Sequence, residues 1–234
     1  MKNLIAFLTL CVMVVAFSSC SDGYVVGDDM VTYEYWTFSF GTRSDTLQGA
    51  DPATFKQVTK WLGHDSQRVY YLSQLVPGVD VATLKAVRKP VFKDKNDYYC
   101  ETSPVHVADM KSFKILKWAY GSFWAKDALY AYFDTTRIQA DVKTFKVLNP
   151  FVAKDKNHVY YFGEIIPDAD PATFKPIGNS VYNRDKSHIW CGSDLLQDAD
   201  YETFKVDDSG TAHDKFGTFT FERRDTILEE DTAP

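Results

Sequence analysis

Apolar positions follow two regimes along this chain. Residues 4–17 form one apolar run, broken only by Thr9. Beyond it, short β-branched and aromatic stretches alternate with turns rich in Asp, Asn, Ser and Lys, and no later run approaches twenty apolar residues. Stretches of that length and composition predict strands rather than helices. Residues 170–196 illustrate the pattern. Asp170-Pro171-Ala172-Thr173 predicts a turn or short helical start, because Asp can accept from nearby backbone N–H groups and Pro presets φ. Strands are predicted at 174–177 and 180–183. A third, longer one at 188–196 follows the turn Asp185-Lys186-Ser187. Residues 151–166 read as a similar hairpin about Asp155-Lys156-Asn157. Its adjacent Tyr160 and Tyr161 must point to opposite faces, one into a core between neighbours and one toward the surface.

The pattern repeats. Asp51-Pro-Ala-Thr-Phe-Lys56 returns in variant form from Asp80, Asp109, Asp141, Asp170 and Asp200, at intervals of 29, 29, 32, 29 and 30 residues. A second string is led by Asp65, Asp94, Asp127, Asp155, Asp185 and Asp214. Five residues after each stands an aromatic: Tyr70, Tyr99, Tyr132, Tyr160, Trp190 and Phe219. Asp127 lies eighteen residues after Asp109 where the other pairs are fourteen or fifteen apart, so that unit carries an insertion. A fixed period near thirty signals tandem units that bury their apolar faces against one another.

Asp94-Lys95-Asn96-Asp97-Tyr98-Tyr99 and Asp155-Lys156-Asn157-His158-Val159-Tyr160-Tyr161 resemble the motif of the DKNYY family, repeat-bearing bacterial proteins that are often exported. The likeness spans roughly 49–221 and implies a repeat architecture, with no activity attached. The units at Asp65, Asp185 and Asp214 match more loosely, and the unit at Asp127 departs most.

The expected fold is all-β: tandem repeats of about thirty residues forming an open β-solenoid or curved meander, with a closed propeller-like array as the alternative. Propeller blades of four strands usually take forty residues or more. Residues 36–46 resemble 217–226, which adds a leading half-unit before six full ones and favours an open array. The expected organisation is a signal peptide over 1–19, a tether over 20–32, the repeat domain over 33–229 and a short tail over 230–234.

The N-terminal run is long enough for a signal peptide and too short to span a bilayer. It ends at Phe17-Ser18-Ser19-Cys20, which resembles a bacterial lipobox, although Phe17 stands where an aliphatic residue is usual. Cys20 is then the expected lipidation site, and the membrane, reached through that anchor, the expected partner. An ordinary secretory leader with an incidental cysteine is the alternative. The expected location is the cell envelope, at the outer membrane. Cleavage would leave 215 residues and, with Lys2 gone, shift the formal charge from −6 to −7. Such an acidic chain is a poor match for nucleic acid or for an anionic lipid surface.

Candidate chemistry is sparse. Asp168 with Asp170, or Asp198 with Asp200, could be imagined as an acid–base pair. A carboxylate that recurs in every unit is better explained by turn capping, with calcium binding as a weaker reading. The histidines lack zinc spacing and read as turn residues. Cys100 and Cys191 occupy equivalent positions three units apart, too far for a disulfide, and are expected as free, buried thiols. No catalytic residue, metal or cofactor is expected. The surplus aromatics of the insertion unit, Trp118, Tyr120, Phe123 and Trp124, are the candidate ligand-binding residues, for a sugar ring or a protein. A local mini-core under the longer loop is the competing explanation. The leading expectation is a non-catalytic interaction or scaffold module at the envelope, with an envelope protein as partner. The alternatives are a glycan-binding lipoprotein and a hydrolase of unrecognised type.

Overall fold

The computed structural model describes residues 22–225, except 179. The leader, Cys20 and the tail lie outside the described residues. The chain divides into two compact parts, Met1–Pro77 and Gly78–Pro234. Both are β-structured, and the helical element among the described residues is one 3-10 turn, Val81–Thr83.

The N-terminal part holds a three-stranded sheet of β1 (Gly23–Val26), β2 (Val31–Thr37) and β3 (Gly41–Thr46). It also holds the first full repeat: β4 (Lys56–Thr59), β5 (Leu62–His64), β6 (Val69–Tyr71) and β7 (Gln74–Val76). The C-terminal part holds the other five repeats. Each repeat is its own four-stranded antiparallel meander with strands in sequence order, and among the described residues no strand order closes a barrel. The fold is thus a tandem array of about thirty-residue all-β repeats.

Each repeat has four strands where three were expected. The long third strand predicted at 188–196 is broken into Ile189–Cys191 and Asp194–Leu195, which pair as Trp190↔Leu195 and Cys191↔Asp194. The residue at the break takes positive φ in every repeat: Leu72, Glu101, Asp134, Phe162, Gly192 and Phe221. Glycine is the usual signal for such a hairpin turn, and here it stands in one repeat of six. The turn is instead held by a backbone bond to the start of the second strand. Leu72 N–H donates to the Trp61 carbonyl at 2.9 Å, Phe162 N–H to Phe151 at 2.9 Å and Gly192 N–H to Val181 at 2.8 Å. Four strands fit because most are only two to four residues long, which removes the length objection to a four-stranded unit.

The segment expected as a tether is partly sheet. β1 pairs with β2 from Gly23↔Glu34 to Val26↔Val31. Gly27 N–H donates to the Met30 carbonyl at 2.9 Å, as Asp65 N–H does to Arg68 in the first repeat. The three-stranded sheet is therefore a repeat without its first strand, beginning near residue 23 rather than 33. The likeness of 36–46 to 217–226 does not mark equivalent positions, because Phe38 is exposed at a hairpin tip while Phe219 is buried.

Within each part the core lies between consecutive sheets, so inner strands are covered on both faces, as at Ala131-Tyr132-Phe133, while outer strands are largely exposed, as at Lys85–Arg88. Strand alternation sends Trp124 and Phe133 against Phe145 and Tyr160 of the next repeat. It sends Phe123, Ala125 and Tyr132 to the other face, against Val91 and Val105 of the preceding one. In the third, fourth and fifth repeats the residue before the second-string aspartate fastens its repeat to the next. Lys126 Nζ donates to the Val142 carbonyl at 3.0 Å, Lys154 Nζ to Pro171 at 2.7 Å and Arg184 Nη2 to Tyr201 at 3.3 Å. Each acceptor follows the first aspartate of the next repeat.

Candidate functional site

The recurring aspartates come together in pairs, and what they do is structural. In the fourth repeat Asp155 is buried. Its Oδ1 accepts from the N–H groups of Asn157 and His158, both at 2.7 Å. Its Oδ2 accepts from Asp141 N–H at 2.7 Å and from the Tyr160 hydroxyl at 3.0 Å. Asp141 in turn accepts from Thr144 N–H and hydroxyl, both at 3.0 Å. Thr144 Oγ1 accepts Lys156 N–H at 3.1 Å, and Lys156 Nζ reaches Asp141 at 2.9 Å. One buried carboxylate thereby closes the turn between the second and third strands, holds the turn before the first strand, and orients the tyrosine that fills the core.

The same wiring recurs with substitutions. Asp94 and Asp127 each accept from two turn amides and from Tyr99 or Tyr132. In the last repeat Phe219 has no hydroxyl, and Arg224 pairs with Asp214 instead. Burial alone would raise the Asp127, Asp155 and Asp185 carboxyls, but the donors outweigh it, the Tyr132 hydroxyl first at Asp127 and the backbone amides first at the other two, and hold each below the usual carboxylate range. Burial, followed by the neighbouring carboxylates, pushes Tyr99 up to about 12. An acid–base pair needs one free, exchangeable carboxyl. Asp170 and Asp200 are instead turn caps bonded to Thr173 and Thr203. Among the described residues, no group of three or more His, Cys, Asp or Glu side chains is placed to hold a metal ion.

Cys100 and Cys191 are free, Cys191 buried and Cys100 partly exposed. Burial pushes their thiols up to about 12 and about 11, so thiolate is scarce near neutrality. His158 and His188 are exposed turn residues.

The four aromatic candidates separate. Phe123 and Trp124 are fully buried and cannot form a stacking surface. Counted back from Asp127 they are in register, Trp124 standing where Val91 and Val152 stand in the neighbouring repeats. The extra residues lie before them and lengthen the first hairpin, Lys114–Ala119 against Ser122–Lys126. Trp118 is half-buried against Phe123, with the Arg88 guanidinium 5.1 Å from its ring centre. Tyr120 remains, 88% exposed at the hairpin turn. Its ring lies nearly parallel to that of Phe151 at 5.5 Å. Phe151 meets Phe162 at 5.5 Å, and Phe162 meets Phe133 and Tyr161 at 5.5 and 4.6 Å. Positive φ at Phe162 turns that ring outward at the strand break. Tyr120, Phe151 and Phe162 thus form an aromatic ladder across two repeats. Phe151 and Phe162 were missed because each lies outside the insertion.

The fold and this wiring define an all-β tandem-repeat protein whose motif residues build the repeat itself. The chain belongs to the DKNYY family, whose family model matches residues 4–103 and again 61–194. No curated protein and no solved structure matches it.

Proposed function

We propose that this chain is a non-catalytic interaction module held at the cell envelope by a lipidated Cys20, with the Tyr120–Phe151–Phe162 ladder as its contact surface. The observation that carries the reading is a division of labour. The repeated polar residues are consumed in turns and ion pairs inside each repeat, whereas the ladder carries its outermost ring, Tyr120, into solvent on a Phe151 that itself packs partly against the core. Exposed aromatics that cluster are typical of contact surfaces. The lipobox-like 17–20 segment supports export and anchoring. The test is affinity capture of envelope proteins with the acylated chain, comparing wild type with Tyr120→Ala/Phe162→Ser. A specific envelope partner lost in the double variant supports the reading, and an unchanged capture profile contradicts it.

A second reading, glycan binding, is favoured by the exposed outer face of Tyr120, backed by the Phe151 ring stacked on its inner side, which is a flat apolar face of the kind sugar rings stack on. It predicts saccharide retention that Tyr120→Ala abolishes.

A further inference from the structure

The most exposed aromatics of the N-terminal part crowd one hairpin tip. β2 and β3 are seven and six residues long, whereas β6 and β7, their counterparts in the first repeat, have three each. Pairing ends at Thr37↔Gly41, which leaves Phe38, Ser39 and Phe40 at the tip. Phe38 is 93% exposed, Phe40 71% and Trp36 50%. The Trp36 and Phe38 rings meet edge to face at 6.1 Å, and the Arg43 guanidinium lies 4.7 Å from the Phe40 ring centre. None of the three rings belongs to the core cluster of this part, which is built on Val31, Tyr33, Leu47 and Tyr70.

The tip is tied to the start of the mature chain. Asp22 Oδ1 accepts the Trp36 backbone N–H at 3.2 Å. Cys20 is two residues before Asp22, and two trans peptide units span at most about 7.6 Å. An acyl chain on Cys20 is therefore held within about 7.6 Å of Asp22, the residue whose side chain is bonded to the Trp36 backbone. The acidic turn Asp28-Asp29 precedes the other end of β2, about 20 Å away at strand rise. The three aromatic rings, with Arg43 beside them, gather at the tip, away from that acidic turn. Tryptophan favours the headgroup boundary, phenylalanine the acyl region beneath it, and an arginine stem can reach back to phosphates.

We propose that the Trp36–Phe38–Phe40 tip inserts into the interface of the lipid bilayer beside the acylated Cys20. It is a second membrane contact, which fixes how the N-terminal part stands on the surface. The proposal rests on the lipid-anchor reading of Cys20. It adds a contact that acyl chains alone would not supply, since a flexible tether would leave orientation free.

The test uses the full mature, acylated chain in vesicles of phosphatidylethanolamine and phosphatidylglycerol with brominated acyl chains, which quench tryptophans inside the bilayer. The expected result is quenching of wild-type emission at least threefold stronger than in Trp36→Phe. In Phe38→Ser/Phe40→Ser, quenching should fall toward the Trp36→Phe level. All three proteins should share one urea unfolding midpoint, since the substituted side chains lie outside the core cluster. Wild-type quenching no stronger than that of Trp36→Phe, in protein firmly bound to the vesicles, overturns the proposal. So does a Trp36 already shielded from iodide without vesicles in a dimer that Phe38→Ser dissolves, because the occupant is then a second copy. Mass spectrometry separates the two readings. If the chain carries no acyl mass, the anchor reading fails, and unacylated protein mixed with the same vesicles decides the tip. Trp36-dependent quenching there sustains the insertion, and its absence ends it.

Discussion

The Tyr132 hydroxyl donates to Asp127 Oδ2 at 2.6 Å, between two side chains that are both buried. The same phenolic oxygen accepts Ala108 N–H at 3.0 Å. Tyr132→Phe keeps the ring and removes both bonds, so Asp127 loses a donor that water cannot replace. The expected cost is about 1–2 kcal/mol in denaturant unfolding, with no change in m-value. Phe occurs naturally at this column only in the last repeat, where Arg224 serves the aspartate instead.

Two neighbouring aromatics should behave oppositely. Trp124→Ala opens a cavity between the third and fourth repeats and should cost about 3–5 kcal/mol. Tyr120→Ala, at an exposed turn, should change stability by no more than about 0.5 kcal/mol. Thermal unfolding of the two variants side by side separates core from contact surface. Equal losses would contradict the assignment of Tyr120 to the surface.

Asn183 is the one buried side chain with an unpartnered polar atom among those described, its Oδ1. Ala125 and Ala153 fill the same column in the third and fourth repeats. Its amide donates to the Val181 carbonyl at 3.0 Å and, at a long 3.5 Å, to the Gly192 carbonyl, and the Val181 oxygen keeps the Gly192 N–H when the amide is gone. Asn183→Ala should therefore raise stability, by about 1 kcal/mol, read as an upward shift in denaturant midpoint. A clear loss would show that the amide does more than fill space.

Acid should unfold the chain through the same wiring. Bonds from Lys156 and Thr144 bring the Asp141 carboxyl down to about 2. Asp127, Asp155 and Asp185 also lie below their ordinary value of 3.8. A folded value below the unfolded one stabilises the fold above the unfolded pKa, and that contribution is lost as pH falls through the folded value. Melting temperature should be flat above about pH 5 and drop steeply from about pH 4 toward pH 2. A profile still flat at pH 2.5 would mean the carboxylates do not hold the turns.

Much of this was legible in the sequence because a repeat writes each feature six times. The period located every unit, and carboxylates recurring at fixed spacing pointed to turns rather than to a unique site. The fourth strand was hidden because its turn is set by a backbone bond at residues such as Leu72 and Phe162, which carry no turn signature. Trp124 looked surplus because the insertion was read forward from Asp109. Read backward from Asp127, it falls in an ordinary core column. The ladder was invisible because Tyr120 and Phe162 are forty-two residues apart and meet through Phe151.

The central claim is that the second-string aspartate of each repeat is a fold element. Asp155→Ala tests it most directly. Four donors lose their acceptor at once: the N–H groups of Asp141, Asn157 and His158, and the Tyr160 hydroxyl. Equilibrium unfolding in urea should show a loss on the order of 3 kcal/mol or more. A variant as stable as wild type, to within about 0.5 kcal/mol, would contradict the account and return these carboxylates to the list of candidate site residues.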